Sequence, residues 1–167
     1  MTMALEPAVT DLEQLKSHVE VACLLAWNAA VVEGAKFDHN ELSIYVERTA
    51  LRGACTTLRS DPSLQYDSLS DVTCVDWTPS DPRFEVIYHL FSTVTKKRVR
   101  LKVRLSGDSP AVDSLTPLWR GANFFEREVF DLFGVRFNEH PNLKRIMMPD
   151  NWEGHPLRKD YPVEGYR

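Results

Sequence analysis

Glu128 and Asp131 stand three residues apart, and their types and spacing could do chemistry. On a helix they share a face, and paired carboxylates can divide acid and base work. Arg127 lies four residues before Asp131 and could neutralise it instead. The sequence around them has no activated nucleophile motif and no glycine-rich phosphate loop. The preferred reading is therefore a hydrogen-bonding one, in which these side chains fix where the chain leaves its helix.

His140 and His155 each precede a proline. With Asp131, Glu139 or Asp160 they could invite a metal. Ligands of a built site usually sit at short fixed spacing, and these two are fifteen residues apart. Imidazoles bonded to backbone inside an interface are the expectation. A remote alternative is a self-contained small hydrolase using His140 and His155; stoichiometric zinc or iron in the purified chain would favour it. Cys23, Cys55 and Cys74 are scattered, with no CxxC and no cluster spacing. They read as small buried hydrophobes in a reducing compartment.

Trp152, Tyr161, Arg145 and Arg158 have the composition of interface hot spots, aromatic anchors and arginine forks. They lie beyond Gly134, where the helical period disappears and Pro141, Pro149, Pro156 and Pro162 punctuate the chain. Each proline removes a backbone donor and biases its predecessor away from helix. Large apolar residues continue at irregular spacing: Phe137, Leu143, Ile146, Met147, Met148 and Leu157. Such an arm has to lie on its own domain or on another protein. The partner-binding set is read as His140, Pro141, Arg145, Trp152, His155, Leu157, Arg158 and Tyr161. The division falls at Gly134, with an α+β globular domain at 1–134 and an extended proline-rich docking arm at 135–167. Amide exchange beyond Gly134 is expected to be fast in the isolated chain.

The elements before the arm must position it. Leu12, Leu15, Val19, Ala22 and Cys23 recur at helical spacing behind Asp11, so a helix of about 11–26 is expected, its apolar end around Trp27 buried. Residues 1–10 should be loose. Ala30 to Phe37 and Glu41 to Val46 read as a hairpin about Asp38-His39-Asn40. Leu51, Ala54, Cys55 and Leu58 mark one face of a helix of about 48–60, which Gly53 weakens by about 1 kcal/mol relative to Ala. Strands follow over Ser68–Trp77, Arg83–Phe91 and Lys97–Leu105. In the last, Val99, Leu101, Val103 and Leu105 point inward, while Arg98, Arg100, Lys102 and Arg104 point out. That basic row reads as a solvated face on an edge strand; the competing reading is contact with an acidic neighbouring subunit. Gly107 to Pro110 is a loop, and Ser114 to Trp119 looks like a short helix. Asn123 and Glu126 form a capping-box pattern for a helix of about 124–133, with Phe125, Val129, Phe130 and Phe133 inward and Gly134 closing it. The class is α+β: a mixed β-sheet of about five strands backed by helices, with a long extended C-terminal arm.

Bulk properties narrow the function. Hydrophobic residues make up 43% of the sequence, enough for a core, and the net charge of −4 argues against general nucleic-acid binding. The first residues lack the basic flank and apolar core of a signal peptide. The apolar run near Val21 to Val32 is too short for a bilayer, which takes about 20 residues. Membrane association is expected only through a partner.

Glu126-Arg127-Glu128, Asp131-Leu132-Phe133, His140, and Lys144 with Ile146-Met147 resemble the signature of the C-subunit family of bacterial NADH-quinone oxidoreductase, respiratory complex I. Trp152-x-Gly154-His155-Pro156-Leu157-Arg158-Lys159-Asp160-Tyr161-Pro162 is similar to the same family. One departure is Phe124-Phe125, where that family often has Trp or Tyr. The resemblance implies a non-catalytic structural subunit with no cofactor of its own, FMN and the iron–sulfur clusters being carried by other subunits. It implies an arm lying over the D-type quinone-site subunit, near the B-type terminal-cluster subunit. It places the assembly at the cytoplasmic side of the inner membrane, passing electrons from NADH to quinone with proton translocation. The alternative is the equivalent subunit of a related hydrogenase or another donor-specific quinone reductase.

Overall fold

Alternating apolar residues in the central strands build a five-stranded mixed sheet, and one face of it receives the helices. The structure is a computed structural model and describes residues 10–107 and 109–165. The loose start expected for residues 1–10 lies, except for Thr10, outside the described residues, as does Asp108 in the expected loop. The elements run α1 Leu12–Leu15, α2 Val19–Trp27, β1 Val32–Asp38, β2 Glu41–Val46, a 3-10 turn Arg48–Ala50 leading into α3 Leu51–Ser60, β3 Ser68–Asp76, β4 Phe84–Phe91, β5 Arg98–Leu105, β6 Ala111–Asp113, α4 Ala122–Phe133 and β7 Arg136–Asn138.

The sheet order is β1-β2-β5-β4-β3. β2 and β5 pair parallel, with Leu42 opposite Val99 and Ile44 opposite Leu101. The other neighbours are antiparallel. A parallel pair needs a long crossover, and α3 with the β3–β4 hairpin supplies it. The core gathers Ile44, Leu101, Val103, Phe84, Val86 and Tyr88 with Leu51, Ala54, Cys55 and Leu58 of α3 and Leu24 of α2, all fully buried. α4 packs across β3.

Several local expectations are corrected. The first helix is broken at Ser17 and His18. Asp11 does cap it, accepting from the Glu13 amide at 3.0 Å. The break re-phases the buried stripe to Leu15, Val21 and Leu24, and leaves Val19 exposed. It also turns Glu20 inward, where it accepts from Tyr66 Oη at 2.9 Å. Trp27 is not buried but 46% exposed. Its ring lies over Gly53, where a Cβ would come within 2.3 Å of it, so that glycine serves a close approach. β5 is the middle strand rather than an edge, so its basic row cannot be there to prevent edge pairing.

Ser114 to Trp119 forms turns, not a helix. Ser114 Oγ and the Leu115 amide instead donate to Glu126, at 2.6 and 2.7 Å. The capping box therefore does not form: α4 starts after Gly121 without a side-chain cap, and its Glu126 faces the core. β6 and β7 pair parallel in a separate two-stranded sheet. At three residues each they carry no readable alternation.

Candidate docking site on the carboxy-terminal arm

The C-terminal end of a helix exposes carbonyls that have no partner within it. In α4 the closing residue is Gly134, in the left-handed region at φ 73°, and its amide donates to Phe130 O at 2.9 Å. The next three carbonyls are met by the arm. His155 Nδ1 donates to Asp131 O at 2.9 Å. The Leu157 amide donates to Leu132 O at 3.0 Å. Arg158 Nε donates to Phe133 O at 2.6 Å. A guanidinium at this end also meets the negative pole of the helix dipole. A Cβ at position 134 would fall 2.5 Å from both Arg158 Nη2 and His155 Cδ2, so glycine is required there by contact as well as by backbone angle.

One turn of the arm is wound on Asp131. Its carboxylate is fully buried, and Oδ2 accepts the amides of Ile146, Met147 and Met148 at 2.9, 2.7 and 2.9 Å. Oδ1 accepts from Arg145 Nη1 at 2.6 Å. Burial alone would raise its pKa; the amides and Arg145 outweigh burial and hold it below the ordinary carboxylate range. Arg145 spans the arm, its Nη2 donating to Trp152 O and Gly154 O, both at 2.9 Å. Arg127 donates to Lys144 O and Arg145 O at 3.1 and 3.0 Å, so it does not pair with Asp131. Farther along, Asp76 accepts from the Lys159 amide at 2.9 Å and pairs with Arg83, which reaches on to Asp160 at 2.7 Å. Arg83 and its neighbours outweigh the burial of Asp76 and depress its pKa. Arg158 and Arg83 both lie over the Phe84 ring, at 5.1 and 4.7 Å.

His140 anchors the other end of α4. Its buried ring accepts the Asn142 amide at Nδ1 and donates from Nε2 to Asn123 O, at 3.0 and 3.3 Å. Asn123 and Asp131, where the two imidazoles attach, are eight residues apart along α4, about 12 Å. The histidines therefore do not converge as the hydrolase alternative requires. Burial lowers the pKa of each. Glu128 is exposed while Asp131 is buried and saturated with donors, so the carboxylate pair does not form either. Among the described residues no group of three His, Cys, Asp or Glu converges on a possible metal position.

The eight expected partner residues thus divide. His140, Arg145, His155 and Arg158 are turned onto the chain's own domain, and Tyr161 is half-buried. Pro141, Trp152 and Leu157 are exposed. Ile146, Met147, Trp152 and Leu157 form the apolar output of the arm, at 39, 62, 38 and 52% exposure. The amides of Ile146, Met147, Met148, Leu157 and Lys159 are bonded to the body, so slow rather than fast exchange is expected at these five positions. Sequence reasoning missed Asp76 and Arg83. Asp76 lies 83 residues from the amide it holds, and no local pattern connects them.

The family described as respiratory-chain NADH dehydrogenase, 30 Kd subunit, matches residues 44–167. The chain is 45% identical over 161 residues to the C-type subunit of NADH-quinone oxidoreductase from Roseiflexus sp. (strain RS-1), covering 96% of this chain and 87% of that protein. It is 44% identical over 138 residues to the corresponding subunit from Geobacter sulfurreducens, covering 82% and 83%. Among solved structures, the trypsin-resistant fragment (1-134) of Nqo5 matches with TM-score 0.56 and 29% identity, covering 62% of this chain and 83% of that one. A chain of an archaeal membrane-bound sulfane sulfur reductase matches with TM-score 0.72 and 24% identity, covering 89% and 86%, a likeness of fold. No helix among the described residues is long and apolar enough to cross a membrane.

Proposed function

The chain belongs to the family of the respiratory-chain NADH dehydrogenase 30 kDa subunit, and from that premise we propose that it is a non-catalytic structural subunit of the proton-translocating NADH:quinone oxidoreductase. In this reading its arm docks on the D-type quinone-site subunit, near the B-type terminal-cluster subunit. The assembly sits peripherally on the cytoplasmic side of the inner membrane. FMN and the iron–sulfur clusters belong to other subunits, and electrons pass from NADH to quinone without touching this chain.

The observation that carries the docking role is the division of the arm. Arg145, His155 and Arg158 are consumed by the C-terminal end of α4 and His140 by its start, which fixes Ile146, Met147, Trp152 and Leu157 outward on a braced backbone. A pre-ordered apolar patch loses little entropy on binding. The fold alone does not choose among complexes, since a sulfane sulfur reductase shares it. The choice of the NADH enzyme rests on relatives at 45% and 44% identity.

Trp152→Ala is the test. A central aromatic anchor contributes about 2 kcal/mol or more to an interface, so co-purification of the D-type subunit should weaken about 30-fold while the domain stays folded. Unchanged co-purification with the folded variant would remove Trp152 from the interface.

A further inference from the structure

At the end of the sheet remote from the arm lies a second surface of different chemistry. The β1–β2 turn, the β4–β5 turn and the start of α2 enclose an open cleft of about 640 Å³. Arg98 pairs with Phe91 at the far end of β4, and Arg158 of the arm sits over Phe84 at its near end. An eight-residue strand separates them, about 23 Å.

The chain carries a net charge of −4, yet three consecutive cations, Lys96, Lys97 and Arg98, line this cleft and are exposed. None of their side chains makes a close ion pair or hydrogen bond among the described residues; Lys96 acts on the Asp67 carboxylate at longer range, and Arg98 stacks on the Phe91 ring, at 5.1 Å. The two carboxylates lining the cleft are already engaged, Glu20 with Tyr66 and Glu41 with Arg100. Phe37 and Leu42 give the cleft an apolar floor. His18, the N-cap of α2, also lines the cleft and gives that helix no side-chain hydrogen bond. Elsewhere on the five-stranded sheet the cations Lys36, Arg100, Lys102 and Arg104 each have a carboxylate of this chain.

We infer that this cleft receives an acidic segment of another subunit of the assembly, a second interface independent of the arm. The inference rests on the subunit reading above. The recess, with cations at its rim and aliphatic and aromatic carbon at its base, fits an extended chain bearing Asp or Glu beside an apolar anchor. A membrane surface would be met by a flat or convex basic patch, not by a concavity.

The intact assembly is treated with a water-soluble carbodiimide, which joins a lysine amine to a touching carboxylate with loss of water. Lys96 or Lys97 should be linked to an Asp or Glu of another subunit. Their acetylation by an amine reagent should fall at least about tenfold between the isolated chain and the assembly. The triple variant Lys96→Glu, Lys97→Glu, Arg98→Glu should lose the link while the arm still holds the chain in place. Linkage only to a carboxylate of this same chain would overturn the inference, as would equal acetylation in both states. So would binding of the isolated chain to vesicles containing anionic phospholipid, lost in the triple variant. Failure of the Trp152 test removes Trp152 from the arm's interface and leaves the cleft untouched. The cleft is read only on chain retained in the assembly, so either claim can fail alone.

Discussion

Asp131 and Glu126 are buried carboxylates on one helix with opposite electrostatics, and donor count decides between them. Asp131 has three amides and a guanidinium and stays charged. Its pKa is depressed relative to the unfolded chain, so its stabilisation is present above the unfolded value and is lost as pH falls through the folded one. Asp131→Asn puts an amide donor where only donors converge and leaves Arg145 without its anion, a loss of about 3 kcal/mol. Exchange at Ile146, Met147 and Met148 should accelerate about tenfold or more, with the central sheet unchanged, as read by hydrogen-exchange mass spectrometry. Glu126 has only Ser114 Oγ and the Leu115 amide as short donors, and burial pushes its pKa up from 4.5 to about 7. A raised folded pKa means the contribution is full below the unfolded value and is lost as pH rises through the folded one. The wild-type chain should lose up to about 3 kcal/mol between pH 4.5 and pH 8 through this group. Glu126→Gln should flatten that part of the profile, measured as urea midpoints against pH, and an unchanged slope would mean the carboxyl is already ionised at neutral pH.

At the scale of elements, α4 is the scaffold on which the arm is laid. Helical periodicity located it and Gly134 ended it, as the left-handed cap at φ 73° shows. Its first turn was misplaced because Asn123 and Glu126 have the residue types of a capping box, while Glu126 is worth more buried against Ser114 than exposed at a cap. The short strands β6 and β7 were beyond reading for want of length. Gly134→Ala tests the element directly. It combines a left-handed backbone cost of about 1–2 kcal/mol with a Cβ driven into His155 and Arg158. The unfolding temperature should fall by about 5 °C or more. A shift under about 1–2 °C, less than one kcal/mol produces in a chain of this length, would mean the arm simply lifts away without cost.

For the whole molecule, the two outward surfaces differ in physics, and salt separates them. The docking proposed through Ile146, Met147, Trp152 and Leu157 would be apolar and should change little between low and high ionic strength. Contact through Lys96, Lys97 and Arg98 should weaken steeply as the Debye length shrinks from about 30 Å at 0.01 M to about 8 Å at 0.15 M. Crosslink yield at Lys96 and Lys97 across a salt series checks the cleft, and co-purification of the D-type subunit across the same series checks the arm. By itself the sequence determined the α+β class, the β1–β2 hairpin, the three strands β3 to β5, the inward set Val99 to Leu105 and the end of α4. These follow from periodicity and turn chemistry within a few residues, which a linear reading can see. It also marked the arm as a segment that must lie on something. Only the tertiary structure decided what: Asp131 and the carbonyls of α4 take Arg145 and Arg158, and Asp76 takes the amide of Lys159 from 83 residues away. Buried polar groups choose their partners by proximity in the folded chain, and that proximity is set by the packing of the sheet and α4, not by spacing along the sequence.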